Sequence, residues 1–132
     1  MGDENTKFDE ESGAKYLYLI DGDNHINKAL KNIEYADKMD EVRVYVTQKA
    51  LYDKLVSKNY NYVKLYLVQP GDQAVDKKIE EVLRIQAFSR SYRKIFVISQ
   101  DHGYDELIEH LRKELNIKKS KLDRRDYFCE VY

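Results

Sequence analysis

The stretch Tyr16-Leu-Tyr-Leu-Ile-Asp-Gly-Asp-Asn24 sets five nearly continuous apolar residues directly before an acidic, glycine-bearing turn. A short apolar run bounded by turn residues reads as a strand buried on both faces, the kind found in parallel sheets. Downstream, Ile26, Ala29, Leu30, Ile33 and Ala36 follow a helical spacing. The unit is therefore strand, turn, helix, and the chain repeats it. Val42–Val46 predicts a second strand, followed by a short helix from Ala50 to Val56. Tyr62–Val68 predicts a third strand, stopped by Pro70-Gly71. Val75, Ile79, Val82, Leu83 and Ala87 then mark a longer helix. Ile95–Ile98 predicts a fourth strand, and Tyr104, Leu107, Ile108, Leu111 and Leu115 a fourth helix. Tyr127–Tyr132 is the candidate fifth strand.

Each connection between strands one to four holds a helix. With right-handed crossovers this implies a three-layer α/β/α architecture around a mostly parallel sheet. The expected order is 3-2-1-4-5, with the first strand central and beside the fourth.

Composition bounds the rest. A chain of 132 residues makes one domain of ordinary size. A hydrophobic fraction of 42% with 12 tyrosines supplies a core despite 36% charged residues. Residues 1–14 are polar and aperiodic and are expected to be a flexible acidic tail, leaving 15–132 as the single domain. No apolar run approaches the roughly 20 residues of a membrane span. There is no basic-then-apolar leader. The one cysteine, Cys129, cannot make an internal disulfide, and three histidines are too few to suggest structural zinc. The expected location is the cytoplasm.

Net charge is −1, which gives no general signal for nucleic acid, but the distribution is uneven. Residues 1–11 sum to −4, and the remainder to +3. Residues 110–125 hold Arg112, Lys113, Lys118, Lys119, Lys121, Arg124 and Arg125 against two acids, a net of +5. Such a run suits a polyanion; it equally suits a solvated helix end.

The acids fall in three turns. Asp21-Gly-Asp23-Asn24 follows the first strand, Asp101 and Asp105 follow the fourth, and Asp76 opens the third helix. In an open parallel sheet the carboxyl ends of strands share one edge, where ligands bind. Carboxylates gathered there repel one another, and a cation relieves that repulsion. Each acid also has a plainer reading. Asp23, Asn24, Asp101 and Ser99 are good helix caps, and first-turn acids such as Asp76 and Asp105 are stabilised by the helix dipole alone. Asp21 fits capping least well. His25 and His102 sit in acidic turns, while Tyr92 and Tyr104 are by default core residues that could instead stack on a base.

Three segments carry a family resemblance: Tyr18-Leu-Ile-Asp21-Gly-Asp-Asn24, Gly71-Asp-Gln-Ala-Val-Asp76 and Val97-Ile-Ser-Gln-Asp101-His-Gly-Tyr-Asp105-Glu-Leu-Ile-Glu-His-Leu111. Across residues 15–115 the chain resembles the NYN branch of the PIN-like nucleases. That resemblance implies a Rossmann-like, PIN-like fold and metal-dependent RNA hydrolysis with Mg²⁺ or Mn²⁺. The implied metal-binding and catalytic acids are Asp21, Asp76, Asp101 and Asp105. Asp23, Asn24 and Ser99 would position substrate or carboxylate. Arg112, Lys118, Lys119, Lys121, Arg124 and Arg125 would hold RNA, single-stranded by preference. Relatives often carry basic residues where this chain has Asp72 and Gln100. A homodimer or a protein partner is left open.

Two other readings compete. A non-catalytic PIN-like RNA-binding or adaptor module would keep the fold without turnover. A HAD-type phosphatase is suggested by Asp21-Gly-Asp23 and Gly71 to Asp76. The Ser/Thr and Lys elements of that class should fall between those motifs, whereas Ser99 follows both.

Overall fold

A computed structural model describes residues 15–89 and 91–128. The expected tail at 1–14 lies outside the described residues. Five strands form one parallel sheet in the order β3-β2-β1-β4-β5. They are β1 (Tyr16–Asp21), β2 (Glu41–Val46), β3 (Val63–Leu67), β4 (Lys94–Ile98) and β5 (Leu122–Arg125). Four helices flank it: α1 (Ile26–Ala29), α2 (Lys49–Ser57), α3 (Ala74–Gln86) and α4 (Gly103–Leu115). The α/β architecture and the strand order are those expected from the alternation of patterns.

Strand alternation sorts the core into two layers. Leu17, Leu19, Ile95 and Val97 face α3 and α4, where Ile79, Leu83, Ile108 and Leu111 are buried. Tyr18, Ile20, Phe96 and Ile98 face the other way, toward α1 and α2. On that side the Tyr18 ring stacks on Phe96 at 5.4 Å and tilts against Phe128 at 4.7 Å. A register slip of one residue in β1 would exchange the two layers, so the apolar run fixes the register.

Two expectations need correction. The helix expected from Ile26 to Ala36 stops at Ala29 and resumes as a single 3₁₀ turn, Ile33–Tyr35. Asn32 takes the left-handed conformation (φ 64°), which a helix interior does not allow. The Ala29 carbonyl accepts instead from Phe128 N at 2.9 Å. The fifth strand of the sheet is Leu122–Arg125, and of the strand expected at 127–132 the described residues Tyr127 and Phe128 belong to no strand. Leu122 pairs with Ile95 and is the buried member of that strand, whereas Asp123, Arg124 and Arg125 masked it with charge. Residues 129–132 lie outside the described residues.

Candidate functional site

The carboxyl edge of the sheet brings three of the four expected metal-binding acids, Asp21, Asp76 and Asp101, into one cleft of about 330 Å³ that Asp23, Asn24 and Thr47 also line. Asp21 is the last residue of β1 and is only 4% exposed. Gly22 then turns the chain against β2. A side chain there would collide with Val46 Cγ1 and meet Tyr45 O at 2.8 Å, so only glycine fits the approach.

Asp21 and Asp76 meet across one hydroxyl. Tyr104 Oη is 2.7 Å from Asp76 Oδ1 and 3.0 Å from Asp21 Oδ2. A phenol has one hydrogen and can donate to only one carboxylate at a time. The second contact is relieved when a carboxyl brings its own proton. Burial raises the Asp21 pKa to about 6, and the charges of Asp76 and Asp23 add to the rise. Hydrogen bonds from Tyr104 and from Asp23 N oppose it. No cation pairs with Asp21 among the described residues. The Tyr104 hydroxyl is itself driven to a much higher pKa by burial and by the two carboxylates, so it stays a donor.

Asn24 also lines the cleft, and its Oδ1 is buried without a hydrogen-bond partner. An unsatisfied buried acceptor costs about 1–3 kcal/mol. Gln73, just before α3, lines the cleft in the left-handed conformation (φ 52°), one of six described non-glycine residues with positive φ.

The remaining predicted residues do other work. Asp23 accepts from Thr47 Oγ1 at 2.6 Å and Thr47 N at 3.1 Å, tying the β1 turn to the end of β2. Ser99 is fully buried, and its Oγ accepts from Asp101 N at 3.0 Å. Asp101 Oδ1 in turn accepts from Gly103 N at 2.8 Å, so this acid closes the turn that leads into α4 while lining the cleft. Asp105 is drawn away. Arg124 Nε donates to it at 2.7 Å, and His102 Nδ1 lies 3.1 Å from its other oxygen. The Arg124 contact holds the Asp105 carboxyl below its ordinary range.

The basic residues are dispersed. Lys121 donates to the carbonyls of Ser89 and Tyr92 at 3.1 and 2.6 Å, at the amino-terminal edge of the sheet. Lys118 and Lys119 belong to the same turn. The length of α4, roughly 20 Å, separates that edge from the acids. Arg112 donates to the Leu122 carbonyl and Arg124 to the Ser99 carbonyl, and Arg125 lies over the Phe96 ring at 4.0 Å. At the acidic edge itself, Lys28, His25, Asn27 and Gln48 line a neighbouring cleft of about 430 Å³ that shares Asp23. Sequence spacing pointed to His25 but missed Lys28, Asn27, Gln48 and Thr47, and it offered Tyr104 as a stacking ring rather than as a bridge between acids. Tyr92 and Tyr104 are buried, which removes both as bases' stacking partners.

The donor set in the cleft is hard oxygen, the chemistry that suits Mg²⁺ or Mn²⁺. Among the described residues, no three acids or histidines already converge tightly enough to enclose an ion, and the Tyr104 hydroxyl occupies the space between two of them. No helix among the described residues is long and apolar enough to cross a membrane. Compared with known proteins, the chain matches no family model, no curated protein and no solved structure.

Proposed function

We propose that this protein is a metal-dependent nuclease that hydrolyses RNA phosphodiester bonds at the carboxyl edge of its sheet. The observation that carries the reading is Asp21: a buried carboxylate, facing Asp76 across a single hydroxyl, with no cation among the described residues to balance it. Asp21, Asp76 and Asp101 would hold Mg²⁺ or Mn²⁺, with Asn24 Oδ1 supplying a neutral oxygen. The ion would activate water and stabilise the leaving oxygen. Tyr104 keeps Asp21 and Asp76 aligned, Asp23 and Thr47 fix the turn that carries Asp21, and Ser99 sets the backbone of Asp101. Lys28, His25 and Gln48, on the neighbouring cleft, are better placed than Lys118 or Lys119 to meet the phosphates of a bound strand. The resemblance to NYN-type nucleases supports the same chemistry. A lone cysteine agrees with a reducing compartment such as the cytoplasm.

The test is incubation with single-stranded and structured RNAs in Mg²⁺, Mn²⁺ or EDTA, with Asp76→Asn and Asp101→Asn beside the parent. An amide oxygen can still accept from Tyr104 Oη at position 76 and from Gly103 N at position 101, so both variants should fold. Hydrolysis should nonetheless fall by orders of magnitude, because an amide is a poor ligand for these ions. Cleavage equal to the parent's would overturn the assignment. The ion pair of Asp105 with Arg124 favours one rival, a non-catalytic RNA-binding module with an incomplete acid set. Metal binding without cleavage of any RNA would decide for it.

A further inference from the structure

The two edges of the sheet are built differently. β5 ends the sheet with Leu-Asp-Arg-Arg, a charged strand of the kind that discourages further pairing. β3 ends it with Val-Lys-Leu-Tyr-Leu, five residues without proline and with a single charge. Exposed apolar residues gather around the same edge. Tyr62 and Leu67 are 55% and 43% exposed, and on the overlying α2 Val56 is 49% exposed. Tyr66 is exposed too, although its ring stacks on Tyr45.

The phase of the outward hydrogen bonds follows from one contact. Val68 N donates to Val46 O at 2.7 Å, toward β2. Backbone polar groups alternate along a strand, so those of Lys64 and Tyr66 also turn to β2. Those of Val63, Leu65 and Leu67 turn outward, where no strand among the described residues meets them. We propose that this edge pairs antiparallel with β3 of a second copy, about a two-fold axis through Leu65, to make a ten-stranded sheet.

The segment is self-complementary about that axis. Leu65 would oppose Leu65, and Val63 would oppose Leu67, as hydrogen-bonded pairs. Lys64 would oppose Tyr66 as non-hydrogen-bonded pairs, the closer spacing, twice over by symmetry. One face then carries an unbroken apolar row, and the other sets Lys64, whose ammonium lies 3.5 Å from Glu41 of its own copy, opposite the Tyr66 ring twice over. The exposed parts of Val56, Tyr62, Tyr66 and Leu67 amount to roughly 400 Å² per protomer, about half of what a stable interface buries on each partner. The strand backbone and the stem of Lys64 lie beside them and add to it. In this dimer the parallel sheets run in opposite directions, so the two acidic clefts open at opposite ends. Neither cleft borrows a residue from the other copy, and the pairing stands or falls independently of the nuclease reading.

The experiment is sedimentation equilibrium across micromolar to sub-millimolar concentrations. The parent is compared with Tyr66→Lys and Tyr66→Glu, and circular dichroism checks the fold of each. Both substitutions remove the same ring from Tyr45 and differ only in the charge set opposite Lys64. The parent should reach twice the monomer mass, Tyr66→Lys should remain monomeric, and Tyr66→Glu should associate at least as strongly as the parent. A parent that stays monomeric throughout overturns the proposal, whether the edge is free or covered by residues 1–14. So does a pair of variants that behave alike. Ribonuclease activity of Tyr66→Lys should match the parent's, which keeps the two readings separable.

Discussion

Two sheltered carboxylates sit at opposite ends of this sheet, and the protein treats them in opposite ways. Glu41, at the amino-terminal edge, has Arg43 Nε at 2.5 Å, with Lys64 and Lys15 Nζ at 3.5 and 3.7 Å. The Tyr92 hydroxyl donates to it at 3.0 Å. Burial alone would raise its pKa, but Arg43, Tyr92 and the charge of Lys64 hold it below the ordinary range. Asp21, at the carboxyl edge, has a tyrosine too, but its other charged neighbours are Asp76 and Asp23, and its pKa rises. The fold surrounds Glu41 with three cations and, among the described residues, sets none beside Asp21. The difference is one of electrostatic completion, and it separates a structural acid from a candidate ligand more sharply than burial does.

The largest test of that contrast is a pair of isosteric substitutions measured for stability without metal. Asp21→Asn should stabilise the protein by up to about 3 kcal/mol at pH 7.5, since each pKa unit is worth about 1.4 kcal/mol. Glu41→Gln should destabilise it by about 1–3 kcal/mol, because Arg43 is left sheltered without its anion. Chemical denaturation reads both, and equal signs would erase the distinction. The pH dependence has a definite sense. Asp21 binds its proton more tightly in the folded state, so its contribution favours folding at low pH and is lost as pH rises from 3.8 to about 6. Glu41 does the reverse: its contribution is present above its unfolded value of 4.5 and is lost as pH falls below it. The difference curve between the parent and Asp21→Asn should fall between pH 4 and 6 and flatten above.

Metal sharpens the comparison at a smaller scale. An ion bound only by the folded state stabilises by about 1.4 kcal/mol at ten times its dissociation constant. Millimolar Mg²⁺ or Mn²⁺ should raise the melting temperature of the parent and of Glu41→Gln by equal amounts. Asp21→Asn should show little of that rise, and a full response in Asp21→Asn would place the ion elsewhere.

How much of this could be read from the chain depends on periodicity. Buried apolar runs such as Tyr16–Ile20 and Ile95–Ile98 disclosed the strands, their order and the shared edge, because a strand's pattern is local. β5 stayed hidden, since Leu122 is its one fully buried side chain and three charged residues follow. Asp21 was legible as the acid at a strand's end, and so was the convergence of Asp76 and Asp101 with it. What could not be read was pairing at a distance. Nothing in the spacing says that Arg124 reaches Asp105 across 19 positions, that Lys121 turns back to Ser89 and Tyr92, or that Tyr104 enters the acid cleft. Those facts belong to the packing of α4 against β5 and to the loops that meet at each sheet edge, and a run of basic residues looks the same whichever edge it lands on.

Asp105 supplies the smallest and most discriminating test. The resemblance made it a ligand equal to Asp21, Asp76 and Asp101, yet it does not line their cleft. One oxygen is 2.7 Å from Arg124 Nε, the carboxylate is half exposed, and Arg124 is also bound to Asp126 at 2.5 Å and to the Ser99 carbonyl. An exposed ion pair of this sort is worth no more than about 1 kcal/mol. Arg124 keeps two of its partners when Asp105 is neutralised, so no unpaired cation is created. Asp105→Asn should therefore lower stability only slightly and leave the metal-induced rise in melting temperature intact, in contrast to Asp21→Asn. If Asp105→Asn abolished that rise, the acid would have to leave Arg124 when metal arrives. The line between completed and uncompleted carboxylates would then fail at its nearest example.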